Sequence, residues 1–433
     1  MLLKRKKIAI TPIGGVDGVG HNCFLYVGDD AAIVVDCGIK PRHHEKNKQN
    51  ATLENEFSMP DFNWTNPPPR LDILDEILRK KKNAIGIITH AHLDHIGAVA
   101  ELGKRKLPIY LSQWSKKFME RYAENLQIPA YTKCRTFNEN ENLQHGNFKI
   151  SFVPLQHSIP GNYGVLMRLG AKNVLHLGDF KFNGTKESIK ETERTFQEIR
   201  NRVGKIHCLV LDVLNVEMDG FTPPEQRVFD SLEKIIKETR GRVIISFFSS
   251  NLKRMEEILR IGKAQHKVVG ISGWGMSDSY NLLGKYFPPK NGNVILVCGS
   301  QGEDNSGLAK MSRNEHRYLR LSSKDTIVFS SRCIPGNEKG IKTLLQNLRN
   351  QRARIILHEK EKQKLNLPFD VEERFLHVSG HGQRSDIMKA IEILKPEVII
   401  PFHAPQERYD ILEDIVGKKQ KIRRLQEGET IQV

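Results

Sequence analysis

Short apolar runs closed by polar or glycine-containing turns recur along this chain and predict an alternation of buried strands and amphipathic helices. Ile33-Val34-Val35 runs into Asp36, Ala84-Ile85-Gly86-Ile87-Ile88 into Thr89, and Val398-Ile399-Ile400-Pro401-Phe402 into His403. Residues 152–156 lead in the same way to His157, and residues 173–178 to Asp179. Further runs at 241–246, 292–297, 326–330 and 353–357 read as strands, while 229–236 and 344–348 carry a helical period. That alternation predicts an α/β domain with a largely parallel sheet. The roughly two hundred residues between Asp179 and His403 are far more than a loop needs and suit an inserted domain.

The strand ends carry the chemistry. Thr89-His90-Ala91-His92-Leu93-Asp94-His95 packs three imidazoles and a carboxylate behind one buried run, before a segment at 97–102 that can start a helix. Nitrogen and carboxylate donors concentrated in this way suit borderline divalent metals, zinc above all. His90 and His92, two apart on extended backbone, point the same way and can share one ion. Asp94 and His95 lie past the turn and can reach a second. His157, Asp179 and His403 are the candidates for the remaining ligands. Each alone would be an ordinary capping or surface residue; beside the first cluster they become a metal site on a rigid sheet scaffold.

With these pieces in place the chain resembles the metallo-β-lactamase superfamily. Asp36 matches its first motif, 90–95 its second, and His157, Asp179 and His403 the later ligand positions. The resemblance implies one zinc on His90, His92 and His157 and another on Asp94, His95 and His403. Asp179 would be shared, and Asp36 would orient a ligand histidine from outside. Manganese or magnesium are the alternative ions.

The insert is similar to the β-CASP domain of nucleic-acid-processing members, and the whole chain resembles the ribonuclease J family. The likeness is carried by His157-Ser158-Ile159-Pro160, Gly178-Asp179-Phe180-Lys181-Phe182, Gly220-Phe221-Thr222-Pro223, Phe248-Ser249-Ser250-Asn251, Gly299-Ser300-Gln301-Gly302-Glu303, Ile334-Pro335-Gly336-Asn337-Glu338 and His377-Val378-Ser379-Gly380-His381-Gly382. Gly14-Gly15-Val16-Asp17-Gly18-Val19-Gly20 belongs to it too and lacks the ending of a phosphate-binding loop. The implied fold is an α/β protein, a metallo-β-lactamase αββα sandwich with an inserted α/β β-CASP domain. The expected boundaries are 1–214, 215–370 for the insert, and 371–433 for the returning segment.

The implied activity is zinc-dependent hydrolysis of RNA, 5′→3′ and also endonucleolytic. The alternatives are a β-CASP DNA nuclease and an inactive RNA-binding scaffold. Asp94, His381 and Asp212 are the expected catalytic residues, with His381 serving the departing oxygen and Asp212 holding it. Phe248, Ser249, Ser250, Asn251, His377, Ser379, Gly380 and His381 are the expected substrate contacts, through hydroxyls, turn amides and an aromatic face. The chain departs from the family at Val213-Leu214, where Ser-Thr is common, and at 159–162, where Asp-Ser usually follows the proline. It ends about thirty residues after His403, which implies a short form without the C-terminal domain of bacterial members.

Composition narrows this little further. The 433 residues hold 67 Lys and Arg against 51 acidic side chains, a net charge of +16, which suits a polyanionic partner. Six cysteines without paired spacing indicate neither a zinc ribbon nor a disulfide framework and fit a reducing cytoplasm. No apolar stretch approaches the ~18 residues of a membrane span, and the N-terminus lacks the apolar core of a signal peptide. Residues 41–69 read as an irregular loop, with His43 and His44 as exposed loop residues. RNA is the expected partner; a homodimer and an RNA-degradation complex are further expectations.

Overall fold

The structure, a computed structural model, describes residues 6–40, 69–80, 83–125, 134–139, 141–286, 289–334 and 336–433. His43 and His44 lie outside them. The described residues form two compact units. One comprises those up to 223 together with 379–433, and the other runs from 224 to 378.

The first unit holds two seven-stranded sheets among its described residues. In one, the strands Ala9–Gly14, Cys23–Val27 and Ala32–Val35 are antiparallel neighbours, and Ala84–Ile87 then pairs in parallel with Ala32–Val35. In the other, an antiparallel meander ends at Lys172–His176, beside which Cys208–Asp212 and Val398–Phe402 lie in parallel. Side chains alternate across each strand, so consecutive apolar residues serve different layers. Phe24, Val35 and Ile87 pack between the sheets against Phe152, Val174, Val210 and Phe402. Their neighbours Leu25 and Val34 face outward onto Leu71, Leu74 and Leu102. On the far side Leu175, Leu209, Leu211 and Ile399 meet Phe196, Ile387, Leu394 and Leu412. The result is an αββα sandwich.

That layering explains why the apolar runs are continuous instead of alternating: both faces of each central strand are buried. Burying one such Leu or Val contributes roughly 2 kcal/mol. Parallel pairing also levels the strand ends. Val35 lies opposite Ile87, His176 opposite Val210, and Asp212 opposite Phe402. The residues that follow, Asp36, Thr89, Asp179 and His403, therefore leave the sheets at the same edge as Asp212.

The second unit is a six-stranded sheet in the order Val269–Ser272, Val294–Val297, Val243–Ser246, Thr326–Phe329, Arg354–His358 and Glu372–Arg374. Every pairing is parallel. Helices cover both faces. Ile244, Ile327 and Leu357 pack on Leu344, Leu345 and Leu348, whereas Ile245, Val328 and Ile356 pack on Leu232, Ile236 and Ile258. The helical periods at 229–236 and 344–348 belong to the helices Gln226–Glu238 and Glu338–Asn350.

Candidate active site

Three overlapping sets of donor atoms converge at the strand ends of the first unit. His90, His92, His157 and Asp179 form one, Asp94, His95, Asp179 and His403 a second, and a smaller third joins Asp179 to Asp212 and His381. In the first set Nε2 of His90 and Nδ1 of His92 are 3.1 Å apart, and Nε2 of His157 is 3.0 Å from that same Nδ1. Asp179 Oδ2 lies 3.6 Å from His90 Nε2 and 3.7 Å from His157 Nε2. In the second set it is 3.3 Å from His95 Nε2 and 3.9 Å from His403 Nε2, and Asp94 Oδ2 is 3.5 Å from His403 Nε2. Tetrahedral zinc with bonds of about 2.05 Å places its donors about 3.3 Å apart, so the first two sets have the separations a shared ion requires.

The polar accounting agrees. Both carboxylate oxygens of Asp179 and Nε2 of His403 are buried without a hydrogen-bond partner. A buried carboxylate ringed by imidazoles but without a hydrogen bond among the described residues is costly, and a cation between these donors would satisfy it. Burial is the main cause that holds His90 and His157 well below the ordinary imidazole pKa, and His92 at about 4. These three rings are consequently neutral near pH 7, the state in which imidazole ligates a metal.

The surrounding groups choose which nitrogen faces inward. Nδ1 of His157 donates to the Gly380 carbonyl at 2.7 Å, leaving Nε2 for the centre. Nδ1 of His95 donates to Asp36 Oδ2 at 2.8 Å. Asp36 is itself fixed by the Thr89 amide at 2.7 Å and hydroxyl at 2.8 Å, so it acts from behind the ligand. Asn22 Oδ1 lies 3.1 Å from His403 Nδ1, and Asn162 holds the Asp179 carbonyl at 2.7 Å. Asp36 and His403 both take left-handed backbone, at φ 62° and 64°. Such strain costs on the order of 1–2 kcal/mol and clusters at functional sites.

His381 sits beside the second set, stacked on His403 with ring centroids 5.0 Å apart. Its Nδ1 is 2.7 Å from Asp212 Oδ2. Burial lowers its pKa, but the carboxylates of Asp212 and Asp179 outweigh that and raise it to about 9. The backbone amide of Leu214 donates to Asp212 Oδ1 at 2.9 Å, and Val213 is buried in the helix-side core. The apolar pair at 213–214 thus packs, while a main-chain donor holds the carboxylate.

Ser379 and Gly380 brace this loop. Ser379 Oγ accepts from Asn215 at 2.9 Å and from the His381 amide at 3.2 Å, and the Ser379 carbonyl accepts from the buried Lys181 at 2.9 Å. Asp386 accepts from the amides of Phe182, Thr222 and Gln383, tying the Asp179 and His381 loops to one carboxylate. The sequence assigns no role to Asn22, Thr89, Asn162, Asn215 or Asp386. Asp386 alone carried a local signal, as the third residue of a helix with a capping box.

In the second unit, Phe248, Ser249, Ser250 and Asn251 follow the strand Val243–Ser246. Phe248 is 36% exposed. Asn251 caps the helix Leu252–Ala264, its side chain accepting from the Arg254 amide at 3.1 Å, which occupies its oxygen. His377 lies near the end of the unit, its ring centroid 5.9 Å from that of His358. None of the described helices is long and apolar enough to cross a membrane.

Comparison with known proteins places this geometry among relatives. Residues 69–233 match the beta-lactamase superfamily domain, 285–348 the beta-CASP domain of ribonuclease J, and 372–421 the RNA specificity domain of Zn-dependent metallo-hydrolases. Ribonuclease J of Sinorhizobium meliloti is 30% identical over 92% of this chain and 69% of its own length. Ribonuclease J of Mycoplasma genitalium is 28% identical over 96% of this chain and 71% of its own length. An Enterococcus faecalis protein of unknown function has the same fold, with a TM-score of 0.63 at 16% identity, over 99% of this chain and all of that one.

Proposed function

Since the chain belongs to the ribonuclease J family of metal-dependent nucleases, we propose that it hydrolyses single-stranded RNA from the 5′ end with two zinc ions. The observation that carries this reading is the pair of donor sets sharing Asp179, next to His381 and Asp212. His90, His92 and His157 would hold one ion, and Asp94, His95 and His403 the other. Bound there, the ions supply Lewis acidity and a source of hydroxide near neutral pH.

The remaining work falls to this chain's own residues. Asp212 accepts a hydrogen bond from Nδ1–H of His381, so Nε2 is the atom free to serve the departing oxygen. Stacking on His403 fixes the ring plane. Ser379, Asn215 and Asp386 fix the loop that carries the ring. The net charge of +16 favours a polyanion over a small neutral substrate. Phe248, Ser249 and Ser250 are suited to a base and its phosphates. A cytoplasmic setting, endonucleolytic cuts and work within a degradation complex belong to the same reading.

One labelled RNA prepared with a 5′-monophosphate, 5′-triphosphate or 5′-hydroxyl tests it, alongside DNA of the same sequence. Mononucleotides released rapidly from the monophosphate form alone are the expected result. Internal fragments regardless of the 5′ group would make it an endonuclease, and preference for DNA would overturn the RNA assignment.

A further inference from the structure

The second unit carries an exposed aromatic ring flanked by two cations. Tyr318 is 54% exposed. The Lys290 ammonium lies over its ring, 5.0 Å from the centroid, and so does the Arg317 guanidinium, at 5.1 Å. Neither cation has a carboxylate partner among the described residues, whereas the nearby Glu315 is already paired with Arg313. A large aromatic left in water with two uncompensated positive charges has no evident role in folding.

The ring is held in place. Nδ1 of His316 accepts from the amides of Tyr318 at 3.3 Å and Leu319 at 3.2 Å. Its other nitrogen lies 2.9 Å from the hydroxyl of Ser272, the last residue of the edge strand. Leu319 is buried in the core beneath. Tyr318 therefore projects from a turn pinned against the edge strand Val269–Ser272, whose Ile271 amide donates to the Pro289 carbonyl next to Lys290.

That turn connects to the expected substrate segment. Ser272 and Ser246 both lie opposite Val297, one strand to either side, so they are about 10 Å apart. Phe248 and Ser249 follow Ser246. The helix Trp274–Leu282 starts just after Ser272, and its Gly275 comes so close that a Cβ there would lie 3.2 Å from Ser249 Oγ.

We propose that Tyr318, Arg317 and Lys290 form a second nucleotide-binding site for single-stranded RNA, in which the two cations swing from the ring to the flanking phosphates and a base stacks in their place. The inference rests on RNA being the substrate and extends the contact beyond residues 248–251. Stacking on an aromatic tolerates any base, and Arg and Lys read only the backbone, so the site would lengthen the footprint without adding sequence preference.

The test measures binding of 3′-fluorescein oligo(A) of 4 and 16 nucleotides to the full chain, carrying Asp94→Ala to prevent cleavage. Tyr318→Ala should weaken binding of the 16-mer about tenfold and remove most of its advantage over the 4-mer. Tyr318→Phe should keep that advantage. Lys290→Gln with Arg317→Gln should lower the slope of log Kd against log salt by about 1.4, two phosphates' worth for a single strand. Unchanged 16-mer affinity in Tyr318→Ala, from a protein that otherwise binds RNA, overturns the site and leaves the RNA assignment standing. Failure of the parent protein to bind either oligonucleotide overturns both.

Discussion

Nδ1 of His381 lies 2.7 Å from Oδ2 of Asp212, a carboxylate that is almost fully buried and held on its other oxygen by the Leu214 amide. The pair joins two chain segments separated by 169 residues and leaves the far nitrogen of the ring directed away from its anchor. His381 is therefore expected to handle the proton of the departing oxygen, with Asp212 as the residue that positions it.

Removing either partner should affect chemistry and spare the metal. His381→Gln and Asp212→Asn are predicted to lower kcat about 10²- to 10³-fold, the usual scale for losing a positioned acid. Bound zinc, measured by elemental analysis, should stay at the wild-type ratio. Wild-type turnover by pure Asp212→Asn protein would remove the pair from the mechanism.

Asp179 belongs to both of the larger donor sets, so its loss should not be confined to one ion. Asp179→Ala is predicted to lower the occupancy of both, whereas His403→Ala should spare the His90, His92 and His157 set. Chelator treatment should lower the Tm of the wild-type protein, and added zinc should restore it, because an ion that binds only the folded state stabilises it. An unchanged Tm would show that these donors hold no ion.

Gly380 meets His157 too closely for any side chain. A Cβ there would lie 2.5 Å from Cε1 of His157 and 2.8 Å from Ser158 Oγ. Gly380→Ala should displace a ligand imidazole and weaken zinc binding at least tenfold, with circular dichroism unchanged. Wild-type zinc affinity in this variant would mean that the loop moves aside freely.

Acid should weaken the second unit through His358. Burial, reinforced by Arg332 and Arg254, holds its pKa down at about 4. Its Nδ1 accepts from the Leu376 amide at 3.1 Å, a bond that only the unprotonated nitrogen can make. The folded state binds fewer protons than the unfolded chain, whose histidine titrates near 6.5. The stabilisation is then complete above about pH 6.5, falls as pH drops toward 4, and is worth roughly 3 kcal/mol at most. Denaturant titrations across this range should show the loss, and His358→Asn, which keeps an acceptor, should flatten it. A parallel fall in both proteins would assign the acid sensitivity elsewhere.

Much of the site was legible because metal ligation restricts residue type and spacing so strongly. Four of the candidate donors fall within six residues, and each of the others closes an apolar run whose strand identity is independently readable. The residues that support them were not legible for a physical reason. Asn22 reaches His403 across 381 positions, and Asn215 reaches Ser379 across 164. A lone asparagine has no periodicity, and its role exists only once the sheets bring the segments together. The departure at Val213-Leu214 resolves in the same way. Its meaning depended on which side of the strand end was buried, and the structure places Val213 in the core while the main chain supports Asp212.

The last donor, His403, follows a strand inserted between Cys208–Asp212 and Lys421–Ile422, long after the others in the chain. Synthesis from the N-terminus therefore delivers all of residues 224–378 before the last candidate donor of the first unit. A chain arrested before Val398 is expected to protect its 224–378 region from protease while cutting no RNA. The order of the expected donors along the chain thus makes the full donor set available only when synthesis is nearly complete.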